Sequence, residues 1–157
     1  MISTSIFELF KIGPGPSSSH TVGPMFAAYN FRKNIIEYIE KLSNIHELSV
    51  QVELYGSLSD TGIGHGTHRA IVAGLMGDEP TTVNIKRLTQ IFENKDDIYE
   101  IDYNGVVSPF SFSDIVFVKT ENPYRHPNTL KFQLVNNYKI ELVSIYYSIG
   151  GGFIEKD

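Results

Sequence analysis

Leu48, Val50, Val52 and Leu54 alternate without a break with Ser49, Gln51, Glu53 and Tyr55. Alternation with period two puts one face of a segment in a core and the other toward water, so residues 48–55 are a half-buried β-strand. The strand runs straight into a glycine-rich turn, Gly56-Ser57-Leu58-Ser59-Asp60-Thr61-Gly62-Ile63-Gly64-His65-Gly66-Thr67-His68. Ile71, Leu75 and Met76 then recur at helical spacing, which predicts a helix over 66–76 that Gly77-Asp78-Glu79-Pro80 stops. A strand that passes through a polar turn into an amphipathic helix commits the fold to helices layered on a sheet.

The rest of the chain is consistent with that layering. Ile6, Phe7 and Phe10 suggest a short amphipathic helix or turn near the start. Val22, Met25, Phe26, Tyr29, Ile36 and Ile39 share one face of a predicted helix over 23–42, with Pro24 suited to its first turn. Ile85, Leu88, Ile91 and Phe92 predict a short helix over 84–94. Beyond it the pattern changes to strands rich in Val, Ile, Phe and Tyr over 98–103, 106–112, 115–119, 130–135 and 139–148. Asn104-Gly105 is a strong hairpin signal and Asn136-Asn137 a weaker one, while Pro109 points to an edge strand or a bulge. The expected class is α+β, a mixed or mainly antiparallel sheet with helices packed on one face. No repeat or linker divides residues 1–157, so one domain is expected.

A second glycine-bearing stretch precedes the first long helix: Gly13-Pro14-Gly15-Pro16-Ser17-Ser18-Ser19-His20-Thr21-Val22-Gly23-Pro24. Glycine permits close backbone approach and proline stiffens the loop, while the serines and His20 supply polar contacts. Amides at a helix start favour anions, so the stretch reads as a carboxylate- or phosphate-binding loop with a histidine placed for proton transfer. If both helices lie on one face of the sheet, their starts, with His20 and His65, converge on one anionic ligand.

Other histidines are less informative. His65 and His68 are spaced to share a helix face as metal ligands, but no third ligand is evident and a solvated helix cap is the simpler reading. His46 reads as a surface residue, and His126, in a proline-rich loop, as a surface or site-rim residue. Asp60 and Asp78 have no carboxylate close by to form an acid–base pair. A serine hydrolase is a poor fit, since there is no Gly-x-Ser-x-Gly elbow and sequence neighbours seldom form a Ser-His pair.

Composition removes several partner classes. Hydrophobic content of 41%, charged content of 20% and a net charge of -5 describe an ordinary globular protein with scattered Lys and Arg. Neither a nucleic-acid surface nor a basic membrane-binding helix is indicated. No apolar run is long enough to cross a bilayer and the N-terminus lacks the features of a secretory signal, so a cytoplasmic location is expected. The chain contains 0 cysteines, which excludes disulfides and thiolate-held metals within it. Gly150-Gly151-Gly152, followed by Phe153 and a short polar tail, reads either as a flexible exit or as a backbone approach to a partner.

Together these segments resemble the β domain of the bacterial iron–sulfur-dependent L-serine dehydratases. The resemblance spans essentially the whole chain. It is carried by residues 5–13, by Gly15-Pro16-Ser17-Ser18-Ser19-His20-Thr21-Val22-Gly23-Pro24-Met25, and by Tyr55-Gly56-Ser57-Leu58. Thr61-Gly62-Ile63-Gly64-His65-Gly66-Thr67, Gly77-Asp78-Glu79-Pro80 and Tyr146-Tyr147-Ser148-Ile149-Gly150-Gly151-Gly152-Phe153 complete it. One departure is His68, which stands where the family pattern has an aspartate.

The resemblance implies a fold similar to the allosteric substrate-binding domain of D-3-phosphoglycerate dehydrogenases. It also implies a lyase of amino-acid catabolism and gluconeogenesis, an L-serine ammonia-lyase that converts L-serine to pyruvate and ammonia. A [4Fe–4S] cluster would act as Lewis acid on the substrate hydroxyl. Cysteines outside this chain would ligate that cluster, in an α domain that follows in a single-chain enzyme or is a separate subunit. A single-chain parent, shortened here, and a homodimer are expected. This chain would then supply His20 and His65 for proton transfer, Ser17, Ser18, Ser19 and Thr21 to hold the substrate carboxylate, and Gly64, Gly66 and Thr67 as the facing wall. Alone it would be inactive and hold no metal. A purely regulatory or assembly domain that binds an anion is the competing expectation.

Overall fold

The computed structural model describes residues 18–157, the Ser18 side chain excepted. Ile6, Phe7, Phe10 and the Gly13–Ser17 half of the first loop lie outside the described residues. A five-stranded mixed sheet has the order β4-β1-β5-β6-β7, and a separate hairpin is formed by β2 and β3. β1 is Leu48–Gly56, β2 Ile98–Tyr103, β3 Val106–Ser111, β4 Ile115–Phe117, β5 Asn128–Asn136, β6 Lys139–Gly150 and β7 Phe153–Lys156. β1 pairs parallel with β4 and antiparallel with β5, and β5–β6 and β6–β7 are antiparallel. The α+β class expected from the pattern is the class observed.

Alternation sets the faces. Val50, Val52 and Leu54 of β1, Leu130, Phe132 and Leu134 of β5, and Tyr146 of β6 are buried together in the core. Each of the Val, Leu and Phe side chains is worth roughly 1.5–3 kcal/mol when fully removed from water. Over that face lies helix α1, Gly23–Glu40, whose Phe31 ring sits 5.1 Å from the ring of Phe132. Tyr38 donates to Glu141 Oε2 at 2.8 Å and Tyr146 to Asn30 Oδ1 at 2.7 Å, so α1 runs antiparallel to β6.

The helical elements after β1 are α2, Ser57–Thr61, α3, Thr67–Leu75, and α4, Ile85–Gln90. α3 packs on α1 through Gly74, where a Cβ would lie 2.5 Å from the Met25 carbonyl oxygen and 2.7 Å from Ala28 Cβ. No larger residue allows the two backbones to come this close.

Several expectations are corrected. Ser18–Val22, the first of the described residues, form a π-helical turn that leads into α1. Ser19, His20 and Thr21 therefore lie in that turn and not in a loop before the helix. The helix expected over 84–94 is only α4, since Ile91 is extended and Phe92 takes φ 54. Ile91 and Phe92 are buried, as their apolar character demands, but by tertiary packing. Residues 154–156, read as part of a polar tail, join Phe153 in edge strand β7.

Candidate active site

At one end of the sheet, β1 delivers Gly56 to the start of α2. Gly56 adopts φ 60, and a Cβ there would lie 2.2 Å from the Pro127 carbonyl oxygen. That same carbonyl accepts a hydrogen bond from Ser57 N at 2.8 Å, so the turn is held against the segment leading into β5. Ser57 Oγ is thereby placed 2.9 Å from His20 Nε2.

His20 is only 8% exposed. Its other ring nitrogen, Nδ1, is 2.9 Å from Ser19 Oγ. A neutral imidazole has one donor and one acceptor nitrogen, so the two serine hydroxyls hold the ring by opposite hydrogen-bond roles. The His65 ring lies 4.9 Å away between centroids, tilted by 50°. Burial, and next the neighbouring His65, push the His20 pKa below its ordinary value, while a hydrogen bond to Ser57 opposes the shift. His20 is therefore neutral at neutral pH, the form that can take up a proton.

The two histidine-bearing segments are fastened to each other at two points. Thr21 donates its hydroxyl to the His65 carbonyl oxygen at 2.7 Å, and Thr67, at the start of α3, donates to the His20 carbonyl oxygen. Thr67 and Thr21 thus spend their hydroxyls on the backbone of the opposite segment. Gly64 is exposed and Gly66 half-buried beside His65, on the turn between α2 and α3. The structure brings together Ser19, His20, Thr21, His65 and Thr67. Ser17 and the Ser18 side chain lie outside the described residues.

Ser57 was not singled out as a site residue by sequence reasoning, although its place directly after a strand end and a glycine was a usable signal. His126 serves the loop, since its Nδ1 accepts from Asn128 N at 3.0 Å. His68 does not share a site with His65. It is 7% exposed and packs against the rings of Phe92 and Phe112, and burial followed by the charges of Arg69 and Lys95 pushes its pKa down to about 4. The solvated cap expected for it is therefore corrected.

The family profile for the serine dehydratase beta chain matches residues 5–157. The chain belongs to the serine dehydratase beta chain family. Among its relatives, the L-serine dehydratase of Streptomyces coelicolor is 41% identical across 98% of this chain and 34% of the relative. The L-serine dehydratase of Haemophilus influenzae is 38% identical across 96% and 33%, and L-serine dehydratase 1 of Escherichia coli strain K12 is 35% identical across 96% and 33%. The chain spans about a third of the length of the curated relatives it matches.

An iron–sulfur cluster does not fit the residues of this beta chain. Such clusters need thiolate ligands, and the chain has 0 cysteines. Among the described residues no group of three or more His, Cys, Asp or Glu side chains is placed to hold a metal ion. Among the described residues, too, no helix is long and apolar enough to cross a membrane.

Proposed function

We propose that this chain supplies one wall of the active site of an L-serine dehydratase, and that the His20–His65 pair moves the substrate's α-proton. The 4.9 Å approach of two imidazoles, with His20 held neutral between Ser19 and Ser57, carries this reading. In the reaction, a base removes the proton from Cα, a Cα–Cβ double bond forms, and the Cβ–O bond breaks as the hydroxyl takes up a proton and leaves as water. The resulting enamine tautomerises and hydrolyses to pyruvate and ammonia. Removal of a weakly acidic proton needs a neutral base within reach and donors beside the carboxylate where charge accumulates.

Ser19 and the backbone amides of the π-helical turn fit the donor role at the positive end of the α1 dipole. Thr21 and Thr67 fix the two histidine segments relative to each other. A partner region, the α domain, must provide what this chain lacks, including the thiolates for an iron–sulfur cluster. Substitution of His20 or His65 by alanine in the complete enzyme tests the reading. A loss of about a hundredfold or more in kcat supports proton transfer. Unchanged kcat with a raised KM would leave this chain a binding or regulatory role.

A further inference from the structure

The enclosed polar atoms without a hydrogen-bond partner at this end of the sheet include Asn128 Oδ1 and Ser148 Oγ, whose residues face each other across β5 and β6. Ser148 is 0% exposed. Thr129 of β5 stands opposite Tyr147 of β6, which puts Asn128 and Ser148 on the next rung. Asn128 Nδ2 donates to the Ser148 carbonyl oxygen at 3.4 Å. A carbonyl can only accept, so this contact fixes the amide orientation and leaves Oδ1 as the open acceptor.

On its other flank Asn128 stands opposite Gly56, one residue before the Ser57 that meets His20. Neighbouring strands lie about 4.8 Å apart, so the pair is within one or two strand spacings of the His20 anchor. Ser148 also lies between two fixed points on β6 and its following turn. Tyr146 reaches Asn30 on α1, and a Cβ on Gly152 would lie 2.8 Å from Val22 Cγ1. Ser148 is thereby under the first turn of α1, on the face of β6 that Tyr146 shares.

We propose that Asn128 Oδ1 and Ser148 Oγ receive the ammonium group of an α-amino acid whose carboxylate lies at the π-helical turn. This rests on the carboxylate placement proposed above. Asn128 Oδ1 only accepts and Ser148 Oγ has lone pairs to offer, a set that suits a group with three N–H donors and repels a second carboxylate. Buried polar atoms without partners are rare in folded proteins and penalise the fold. A pair of them beside a histidine constellation is accounted for if a ligand completes them.

The test uses the complete enzyme with two competitive ligands: L-alanine, which has both ammonium and carboxylate, and 3-hydroxypropanoate, which has no ammonium. Ser148→Ala removes an unpaired hydroxyl at nearly constant shape. It should weaken L-alanine about tenfold or more, leave 3-hydroxypropanoate within about twofold, and leave Tm unchanged or higher. Asn128→Ala should show the same selectivity. Equal weakening of both ligands, a lowered Tm without selective weakening, or no change in either ligand for Ser148→Ala would overturn the proposal. Failure of the carboxylate placement shows separately, as a Ser19→Ala enzyme that binds both ligands as before.

Discussion

The hydroxyl of Thr21 donates to the carbonyl oxygen of His65 at 2.7 Å, and this bond joins two segments that are 44 residues apart in sequence. Thr21→Val keeps the shape and deletes the donor. It leaves a carbonyl short of a partner at a cost of about 1–3 kcal/mol, read as a lower urea midpoint. In the complete enzyme the same change should lower kcat about tenfold by loosening the His20–His65 geometry, and Thr21→Ser should restore most of it.

Gly74 is the contact through which α1 and α3 approach. Gly74→Val places branched carbons where a Cβ alone already lies 2.5 Å from the Met25 carbonyl oxygen. The helices must separate, and a loss of about 2 kcal/mol or more is expected in chemical denaturation. Unaltered stability would show that the helix pair yields at no cost.

His68 predicts an acid-sensitive fold. Its pKa of about 4 in the folded chain lies below the 6.5 of an unperturbed histidine. The unfolded chain therefore takes up the proton first as pH falls. The stabilising contribution is complete above about pH 6.5 and is lost on the way down to about pH 4, on the order of 3 kcal/mol in all. His68→Phe should flatten the dependence of unfolding free energy on pH across that window.

The two imidazoles should also report on each other. His20 is lowered first by burial and then by His65. An NMR titration should place its ring protonation below 6.5, and His65→Gln should move it upward. A downward movement would contradict the electrostatic coupling inferred from their 4.9 Å separation.

The legible parts of this fold are those written in local periodicity. β1 was legible because its alternation is uninterrupted, and the β2–β3 turn because Asn104 and Gly105 both take positive φ. α1 was only half legible. Phe31 and Ile35, absent from the predicted apolar face, are both 0% exposed because α1 is covered by the sheet on one side and by α3 on another. The site divides the same way. His20 and His65 announce themselves in glycine-rich turns, whereas Ser57, Asn128 and Ser148 become neighbours only through the register of β1, β5 and β6, which no short window encodes. The triple glycine was ambiguous for the same reason, since Gly152 meets Val22, a residue 130 positions earlier.

The π-helical turn at Ser18–Val22 makes the position of His20 a matter of counting. A π turn is an α-helix that has absorbed one extra residue. Remove one residue at the junction of the turn with α1, at Val22 or Gly23, and the backbone can relax into a regular helix. The residues upstream would then be rotated by about 100° around the axis. His20 would swing off Ser57 and away from His65 in a protein that is otherwise as well folded as before. The proposed proton transfer is thus more sensitive to the length of the helix than to its composition, and a one-residue deletion there should silence the complete enzyme without unfolding it.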